Sequence, residues 1–287
     1  MLVVIGFIIV TASVLGGFTM AGGHVGALIH ASEIVTIGGS AIGALIVMCP
    51  GKVLKDLFRS VLQAFQGTPF TKAAYEDMFK MMYEFCRLAR REGMLALEPH
   101  LTDPHQSNIF NRYPRLARNH HIIDFIRGAL GPIVDGSVNP KQLPALIDAE
   151  LKTLEEEHHA PLAALHKTAD SLPGFGIVAA VLGIVVTMGA IDGPVEEIGH
   201  KVGAALVGTF LGILLSYGFL SPLAVKVELL GVQELAFYRA IATIVQEFAN
   251  DVTPKIAIEL ARRGLAQDLR PKQEELETLL KSMDTAA

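Results

Sequence analysis

Four long apolar runs divide the chain, and nearly all of its charges fall between them. The runs extend from Leu2 to about Met20, from Ile34 to about Cys49, from Leu172 to Ile191 and from Val202 to Val225. A helix rises ~1.5 Å per residue, so each run can cross a hydrocarbon core of ~30 Å, the second only just. Because backbone polar groups in lipid must be satisfied within the segment, the pattern predicts four transmembrane α-helices. So bounded, the runs contain no Asp, Glu, Lys, Arg or His.

The distribution of Lys and Arg predicts how these helices are oriented. The connector 22–32 contains neither residue, and the connector 192–201 contains only Lys201, whereas 52–170 contains fifteen and 223–287 contains eight. Since positively charged loops stay in the cytoplasm, we expect the long loop, the tail and both termini to be cytoplasmic. The first run has no Lys or Arg at its start and is long for the apolar part of a cleaved signal, so we expect it to remain as a span.

The segments outside the spans also have a helical pattern. The stretch 71–91 carries one apolar face at helical spacing, typical of a helix packed on a core. That face consists of Ala74, Met78, Met81, Phe85 and Leu88. Prolines and turn formers in 99–114 predict a break, and 141–169 predicts a helix that runs towards the third span. The fourth span is expected to continue to about Phe248, and the polar end, 266–287, is expected to be frayed.

These patterns together predict an all-α membrane protein with four transmembrane helices and a large helical cytoplasmic domain. The expected parts are transmembrane helices 1 and 2 with a short periplasmic loop (1–51), a cytoplasmic helical domain (52–170), transmembrane helices 3 and 4 (171–225), and cytoplasmic C-terminal helices with a tail (226–287).

Composition agrees with this interpretation and excludes several classes of protein. The 287 residues are 51% hydrophobic, with a mean hydropathy of +0.43, more apolar than is usual for a soluble domain of this length. The net charge of −5 includes no basic domain, which argues against nucleic acid as a partner. Cys49 and Cys86 lie in different segments, and no histidine pair has metal-ligand spacing, so we expect no disulfide framework, metal or cofactor. The sequence has no phosphate-binding loop, nucleophile elbow or dinucleotide fingerprint, so no enzymatic activity is predicted.

Small residues recur along the third and fourth spans with helical spacing. The stripes are Gly176, Ala180, Gly183 and Thr187 on the third span, and Ala205, Thr209, Gly212 and Ser216 on the fourth. Such stripes allow helices to approach closely. Two interpretations stay open: packing of the two spans within the chain, or the lining of a site for a further helix, with Thr209 as a polar group that faces it.

Two prolines lie at the same predicted membrane face. Pro173 is at the start of the third span, where a proline in the first helical turn is ordinary. Pro222 is near the cytoplasmic end of the fourth span and is expected to kink a helix that continues beyond it.

The cytoplasmic loop also holds a charge cluster around Gly93, formed by Arg90, Arg91, Glu92 and Glu98. This cluster is either a solvated face or an electrostatic docking surface.

Long stretches of the chain resemble the MotA family of flagellar motor stator proteins. The matching runs are MLVVIGFIIVTASVLGGFTMAGG at 1–23, REGMLALE at 91–98, IFNRYPRLA at 109–117, DFI at 124–126, ADSLPGFGIVAAVLGIVVTMG at 169–189 and VGTFLGILLSYGFLSPLA at 207–224. The resemblance implies a stator subunit of the bacterial inner membrane. It implies five such chains around two copies of MotB, which supplies the proton-carrying aspartate and an anchor in the cell wall. Ion flow through this channel would turn the ring of chains, which pushes on the rotor protein FliG.

The resemblance also implies roles for individual residues. It places Arg90 and Glu98 at the rotor interface, with Arg91 able to share the role of Arg90. It makes Pro173 and Pro222 the residues that couple ion passage to movement. It places Thr209 on the ion path. Together with the small-residue stripes, the predicted lining of the ion path and the partner helix is Ala180, Thr209, Gly176, Gly183, Gly212, Ser216 and Tyr217. Glu150 and Asp170 match positions where family members carry acidic groups with a less defined role.

Ala180 bears on the choice of ion. Sodium-driven relatives carry a threonine at this position, and alanine removes an oxygen ligand that a sodium ion would need. We therefore predict proton coupling. Two other hypotheses stay open: an ExbB- or TolQ-like energiser of envelope processes, against which the four spans argue, and a non-conducting membrane scaffold with a cytoplasmic docking domain.

Overall fold

The protein is built from α-helices. A computed structural model describes residues 1–285 and contains no β-strand in that range. The helices are α1 (Leu2–Met20), α2 (Ala31–Met48), α3 (Gly51–Gln66), α4 (Lys72–Glu92), α5 (Glu98–Thr102), α6 (Asn108–Arg112), α7 (Pro114–Ala117), α8 (His120–Val134), α9 (Leu143–Met188), α10 (Val195–Ile213), α11 (Ser221–Ala249), α12 (Pro254–Arg263) and α13 (Gln273–Thr285). Short 3₁₀ turns occupy Val25–Leu28 and Met94–Leu97, and a π-helical segment, Leu214–Leu220, joins α10 to α11.

The chain divides into two compact units. The first combines Met1–Gly67 with Glu157–Leu230, and the second combines Thr68–Glu156 with the chain from Gly231 onward. Four helical stretches are long and apolar enough to cross a membrane, namely Leu2–Met20, Val25–Met48, Leu143–Met188 and Val195–Ala249. The all-α class and the four membrane-spanning helices predicted from the sequence are therefore confirmed.

The spans expose most of their apolar surface. No residue of α1 is buried, and large aliphatic side chains of α2 and α9 also point outward, among them Val47 and Val185. An isolated soluble domain does not leave such surfaces uncovered, because hydrocarbon in water is unfavourable. In a membrane these faces are available to lipid and to other membrane helices.

The second predicted span is longer than the apolar run. α2 begins at Ala31, and Glu33 therefore lies inside the helix and is buried. The expectation that the spans contain no ionisable side chain is wrong at this position. The sequence pattern treated Glu33 as the boundary of the span, whereas contacts with other helices remove its side chain from the surface.

α9 and α11 run further than the apolar segments they contain. The predicted helix at 141–169 continues without interruption into the third span, forming the 46 residues of α9. Pro173 is therefore an interior residue of a long helix, and its assignment to a first helical turn is wrong. The predicted continuation of the fourth span to about Phe248 is confirmed, since α11 ends at Ala249.

The π-helical segment Leu214–Leu220 was not predicted. The segment is explained by Pro222, which lies two residues after the end of the segment. In an α-helix a proline ring clashes with the carbonyl group four residues earlier, here that of Gly218, and a π turn is one way in which a helix departs from regular α geometry near such a residue. The predicted kink at Pro222 therefore takes the form of a widened helix.

The second unit has a core centred on α4. Four of the five residues of the predicted apolar face are buried, Leu88 being partly buried, and so is almost every side chain from Met78 to Cys86. Aromatic rings from other elements surround it, with centroid distances of 5.2 Å between Phe85 and Phe110 and 5.0 Å between Tyr75 and Phe237. Such ring pairs stabilise a core beyond the area they bury.

The end of the chain is helical. α13 covers Gln273–Thr285 and buries Leu276 and Leu280, while Lys72 Nζ lies 2.7 Å from Glu275 Oε2. The expectation of a frayed tail is wrong over this range, because a narrow apolar stripe packs on the core although most residues are polar. The last part of that prediction, 286–287, lies outside the described residues.

Candidate functional site

Glycines allow α9 and α10 to pack at backbone distance. A Cβ atom at Gly176 would lie 2.8 Å from the carbonyl oxygen of Gly208, and one at Gly183 would lie 2.7 Å from Cβ of Ala205. A Cβ at Gly212 would lie 2.6 Å from the carbonyl oxygen of Leu172. Of the two interpretations left open by the sequence, packing of the two spans within the chain therefore applies to Gly176, Gly183 and Gly212. Their assignment to partner-helix lining stays a prediction.

Ala180 and Thr209 both lie along the crossing of α9 and α10, where Cα of Thr209 is 3.3 Å from the position of a Cβ at Gly176. The amide nitrogen of Ala180 lies 3.2 Å from the position of a Cβ at Gly208, the residue before Thr209. Both side chains are partly exposed, so they are accessible to a neighbouring helix. The predicted choice between proton and sodium rests on Ala180 and stays a prediction.

Two further predicted lining residues lie in the π-helical segment. The Ser216 hydroxyl is fully buried, and within residues 1–285 its Oγ has no hydrogen-bond partner. Tyr217, the next residue, is 65% exposed. In this segment the buried hydroxyl of Ser216 is therefore followed directly by the exposed aromatic side chain of Tyr217.

Glu33 is a site residue that the sequence analysis missed. Its carboxylate oxygen Oε2 lies 2.7 Å from the position of a Cβ at Gly208, and thus beside the crossing of α9 and α10. The available signal was the glutamate three residues after His30, a spacing that fits the first turn of a helix. The apolar run alone does not reveal it.

The two prolines differ in their surroundings. Pro173 is half-buried inside α9, next to the Leu172 carbonyl that contacts Gly212. Pro222 is exposed and stands in the first turn of α11, directly after the π-helical segment. Each proline therefore adjoins an irregular or closely packed feature of the first unit. Their coupling role stays a prediction.

The predicted rotor-facing charges surround the end of α4. The helix ends at Glu92, and Gly93, with φ of 93°, turns the chain into Met94–Leu97 and then into α5, which begins at Glu98. Only glycine adopts this left-handed conformation without strain. Glu98 is exposed and lines a cleft of about 540 Å³ together with Asp124, Arg127 and Asp135.

The two arginines make different contacts. Arg90 Nη2 donates a 2.7 Å hydrogen bond to the carbonyl oxygen of Asp251, a residue with φ of 63°. Arg91 Nη2 lies 2.7 Å from Glu92 Oε1. Both side chains are exposed, but Arg90 is fixed to the turn between α11 and α12, whereas Arg91 pairs with its neighbour. An exposed ion pair of this kind contributes little to stability.

The motif at 109–117 is held to α4 by a buried acid that the sequence analysis did not single out. Glu84 accepts hydrogen bonds from Tyr113 Oη at 2.7 Å and from Arg112 Nη1 at 2.9 Å. Burial, together with the nearby Glu84, raises the pKa of the Tyr113 hydroxyl, so it remains a donor. The motif therefore serves the core of the second unit.

The two remaining acidic candidates have unlike environments. Glu150 is half-buried, and its Oε2 lies 3.3 Å from the position of a Cβ at Gly128. Burial raises the pKa of the Glu150 carboxyl. Asp170 is exposed on α9.

Comparisons with known proteins place the chain in a family. The Motility protein A N-terminal family matches residues 4–93, and the MotA/TolQ/ExbB proton channel family matches residues 117–239. Motility protein A of Salmonella typhimurium is 39% identical, with 96% of this chain and 94% of that protein covered.

Solved structures show the same fold. The flagellar MotAB stator complex from Bacillus subtilis matches with a TM-score of 0.73 and 25% identity, covering 96% of this chain and 98% of that one. C. jejuni MotAB matches with a TM-score of 0.78 at 20% identity, covering 94% and 98%. The chain therefore belongs to the motility protein A family, within the MotA/TolQ/ExbB proton channel family, and functions as a flagellar stator subunit.

Proposed function

We propose that several copies of this chain surround the membrane helices of a MotB partner and convert proton flow into torque on the rotor. The arrangement implied by the family is five copies around two MotB chains, with the proton-carrying aspartate supplied by MotB. The related Bacillus subtilis structure is a complex of the A and B proteins, which supports a MotB partner for this chain. We assign no catalytic activity to the chain.

The exposed apolar faces of the spans carry the proposal. The α9 face that includes Ile177, Val181 and Val185 is 55–63% exposed, while the opposite side of α9 is occupied by α10. Thr209 is a partly exposed polar side chain on α10, the helix that packs against α9. A face of this kind fits the single-span helices of a partner, with Ala180 and Thr209 near the ion path. Other exposed spans, such as α1, are left for neighbouring copies and lipid.

Proton rather than sodium coupling follows from the chemistry at Ala180. Sodium is bound by several oxygen ligands, and a methyl group offers none. The proton needs only a titratable group, which MotB provides.

The second unit would then contact the rotor protein FliG through Arg90, Arg91 and Glu98. These side chains are exposed at one end of α4 and at the start of α5. Charges of both signs on an exposed surface set the orientation and the rate of encounter with a complementary partner. The distribution of Lys and Arg supports an inner-membrane location with both termini in the cytoplasm.

Complementation tests this function. A strain that lacks its own stator A protein, but keeps MotB and the rotor, is supplied with this chain or with the Arg90→Glu variant. Restored rotation with the wild-type chain, and weaker rotation with the variant, is expected. A chain that reaches the membrane and binds MotB without restoring rotation would favour a scaffold. Restored envelope energisation without rotation would favour an ExbB- or TolQ-like role.

A further inference from the structure

A buried carboxylate lies among the membrane helices of the first unit. Glu33 is the third residue of α2 and is 6% exposed. Its Oε2 is 2.7 Å from the position that a Cβ at Gly208 would occupy, and that position is 3.0 Å from Cβ of Ala179. Within residues 1–285 this oxygen has no hydrogen-bond partner. The carboxylate therefore ends in a niche between α2, α9 and α10.

The niche accepts a carboxylic acid more readily than a carboxylate. An unpaired ionised oxygen is strongly disfavoured where neither water nor a donor reaches it, whereas the protonated group carries no net charge. The lack of a side chain at Gly208 provides the room, since any Cβ there would collide with the carboxyl group. The size and the polarity of the niche thus suit a carboxyl group that binds and releases a proton.

A second unpaired titratable atom lies one helical turn away. His30 immediately precedes α2, and its Nδ1 is likewise buried without a hydrogen-bond partner in the described part of the chain. His30 also lines a cavity of about 940 Å³ between α1, Val25–Leu28 and α10. Glu196 and His200 of α10 line the same cavity.

The other elements packed around Glu33 add few titratable groups. α1 has none, and α9 has none between Leu172 and its end at Met188. On α10, Glu197 and Lys201 pair with each other at 2.8 Å. The groups that face this region are therefore His30, with Glu196 and His200 at the cavity.

We propose that Glu33 is a proton-binding site of this chain, loaded from the cavity through His30. Since neither His30 Nδ1 nor Glu33 Oε2 has a hydrogen-bond partner, the two side chains must first rotate into contact with each other. A protonated His30 imidazole then gives its Nδ1 proton to the Glu33 carboxylate, which leaves a neutral imidazole and a carboxylic acid. The imidazole regains a proton from hydronium in the cavity. The ligand is thus the proton, and the site adds a relay in this chain to the proton conduction proposed above, on which it rests.

Infrared spectroscopy tests the site independently of conduction. The full chain with MotB is placed in lipid vesicles, and the carbonyl stretch of protonated carboxylic acids is followed against pH. Glu33→Gln should remove one titrating band, while the control Glu197→Gln, at an exposed carboxyl, should retain it. Glu33→Asp should restore a band. A spectrum of Glu33→Gln identical to that of the wild type would overturn the proposal.

Proton conduction tests the role of the relay. Acidification of cells that express the complex is measured over a range of external pH, with rates normalised to the amount of chain in the membrane. Glu33→Gln should lower the rate about tenfold at the alkaline end, where protons are scarce, and less at the acid end. Glu197→Gln should follow the wild type.

The outcomes separate the two proposals. If Glu33→Gln changes only the amount of chain and not the shape of the pH curve, the carboxyl merely stabilises the start of α2 and the relay is refuted. If the wild-type complex does not conduct protons although its Glu33 band titrates, both the proposed conduction and the relay are refuted. Glu33 would then still be a proton-binding site.

Discussion

Replacing Gly212 by alanine should force α9 and α10 apart. A Cβ at this position would lie 2.6 Å from the carbonyl oxygen of Leu172 and 2.8 Å from Cα of Gly176. Ordinary contact begins at 3.4 Å, so one backbone must move by about 0.8 Å. Both obstacles are backbone atoms, which cannot rotate away as a side chain can.

The expected cost follows from this geometry. Overpacking of a close contact costs ~1–3 kcal/mol, and alanine returns up to ~1 kcal/mol through its higher helix propensity. A net loss of stability of about 1–2 kcal/mol is therefore expected for Gly212→Ala. Since the displaced segment contains Leu172 and adjoins Pro173, rotation should also slow.

A matched control is available on the same helix. A Cβ at Gly203 would meet no atom within 4 Å, so Gly203→Ala should keep or slightly raise stability. The assay is thermal unfolding of the purified chain in lipid nanodiscs, together with the rotation speed of tethered cells. Equal melting temperatures for the two variants would refute the reasoning about this crossing.

Three further predictions concern other parts of the chain. Pro222→Ala should relax the π-helical segment towards an α-helix and stop torque while MotB still co-purifies; normal swimming speed would refute the coupling role. Arg90→Glu should weaken rotor engagement by an amount typical of an exposed pair, ~0.2–1 kcal/mol, and charge reversal on the rotor should partly rescue swimming; no single-variant effect would refute the assignment. Arg262 and Arg263 hold the pKa of Glu259 at about 2, below its ordinary 4.5. This carboxyl therefore stabilises the fold above pH 4.5 and ceases to do so as pH falls towards 2. The stability of the Glu259→Gln variant should therefore not decrease over this pH range as that of the wild type does, as measured by unfolding at each pH. Identical curves of stability against pH for the two proteins would contradict this prediction.

Hydropathy predicted the spans and the core helix because both depend on local pattern. An uncharged run long enough to cross a bilayer has few alternatives to a helix, and the apolar face of α4 recurs over about four turns. The continuity of α9 followed from the helical pattern on both sides of Asp170. These features need no knowledge of distant contacts.

The features that the sequence did not predict depend on such contacts. Glu33 ended the apolar run, and only the close packing of Gly208 makes room for its carboxyl inside the helix bundle. α13 buries only a narrow stripe that includes Leu276 and Leu280, too sparse to stand out in a polar tail. The π-helical segment reflects backbone geometry near Pro222, which a residue pattern does not specify.

The candidate site was predicted in part. The resemblance pointed to Arg90 and Glu98, which lie at the end of α4 and the start of α5. It did not show that Arg90 is fixed to the Asp251 carbonyl. Nor did it show that the glycines on α9 and α10 contact each other, since the direction of a small-residue stripe becomes evident only when its neighbours are placed.

The proposed generation of torque depends on protons as the driving ion. The most direct measurement is the rotation speed of single motors that carry this chain and MotB, recorded in sodium-free medium while the proton gradient is removed stepwise. Speed should fall in step with the proton-motive force and should not change when sodium is added. Rotation that requires sodium, or that persists after the proton gradient has collapsed, would contradict it.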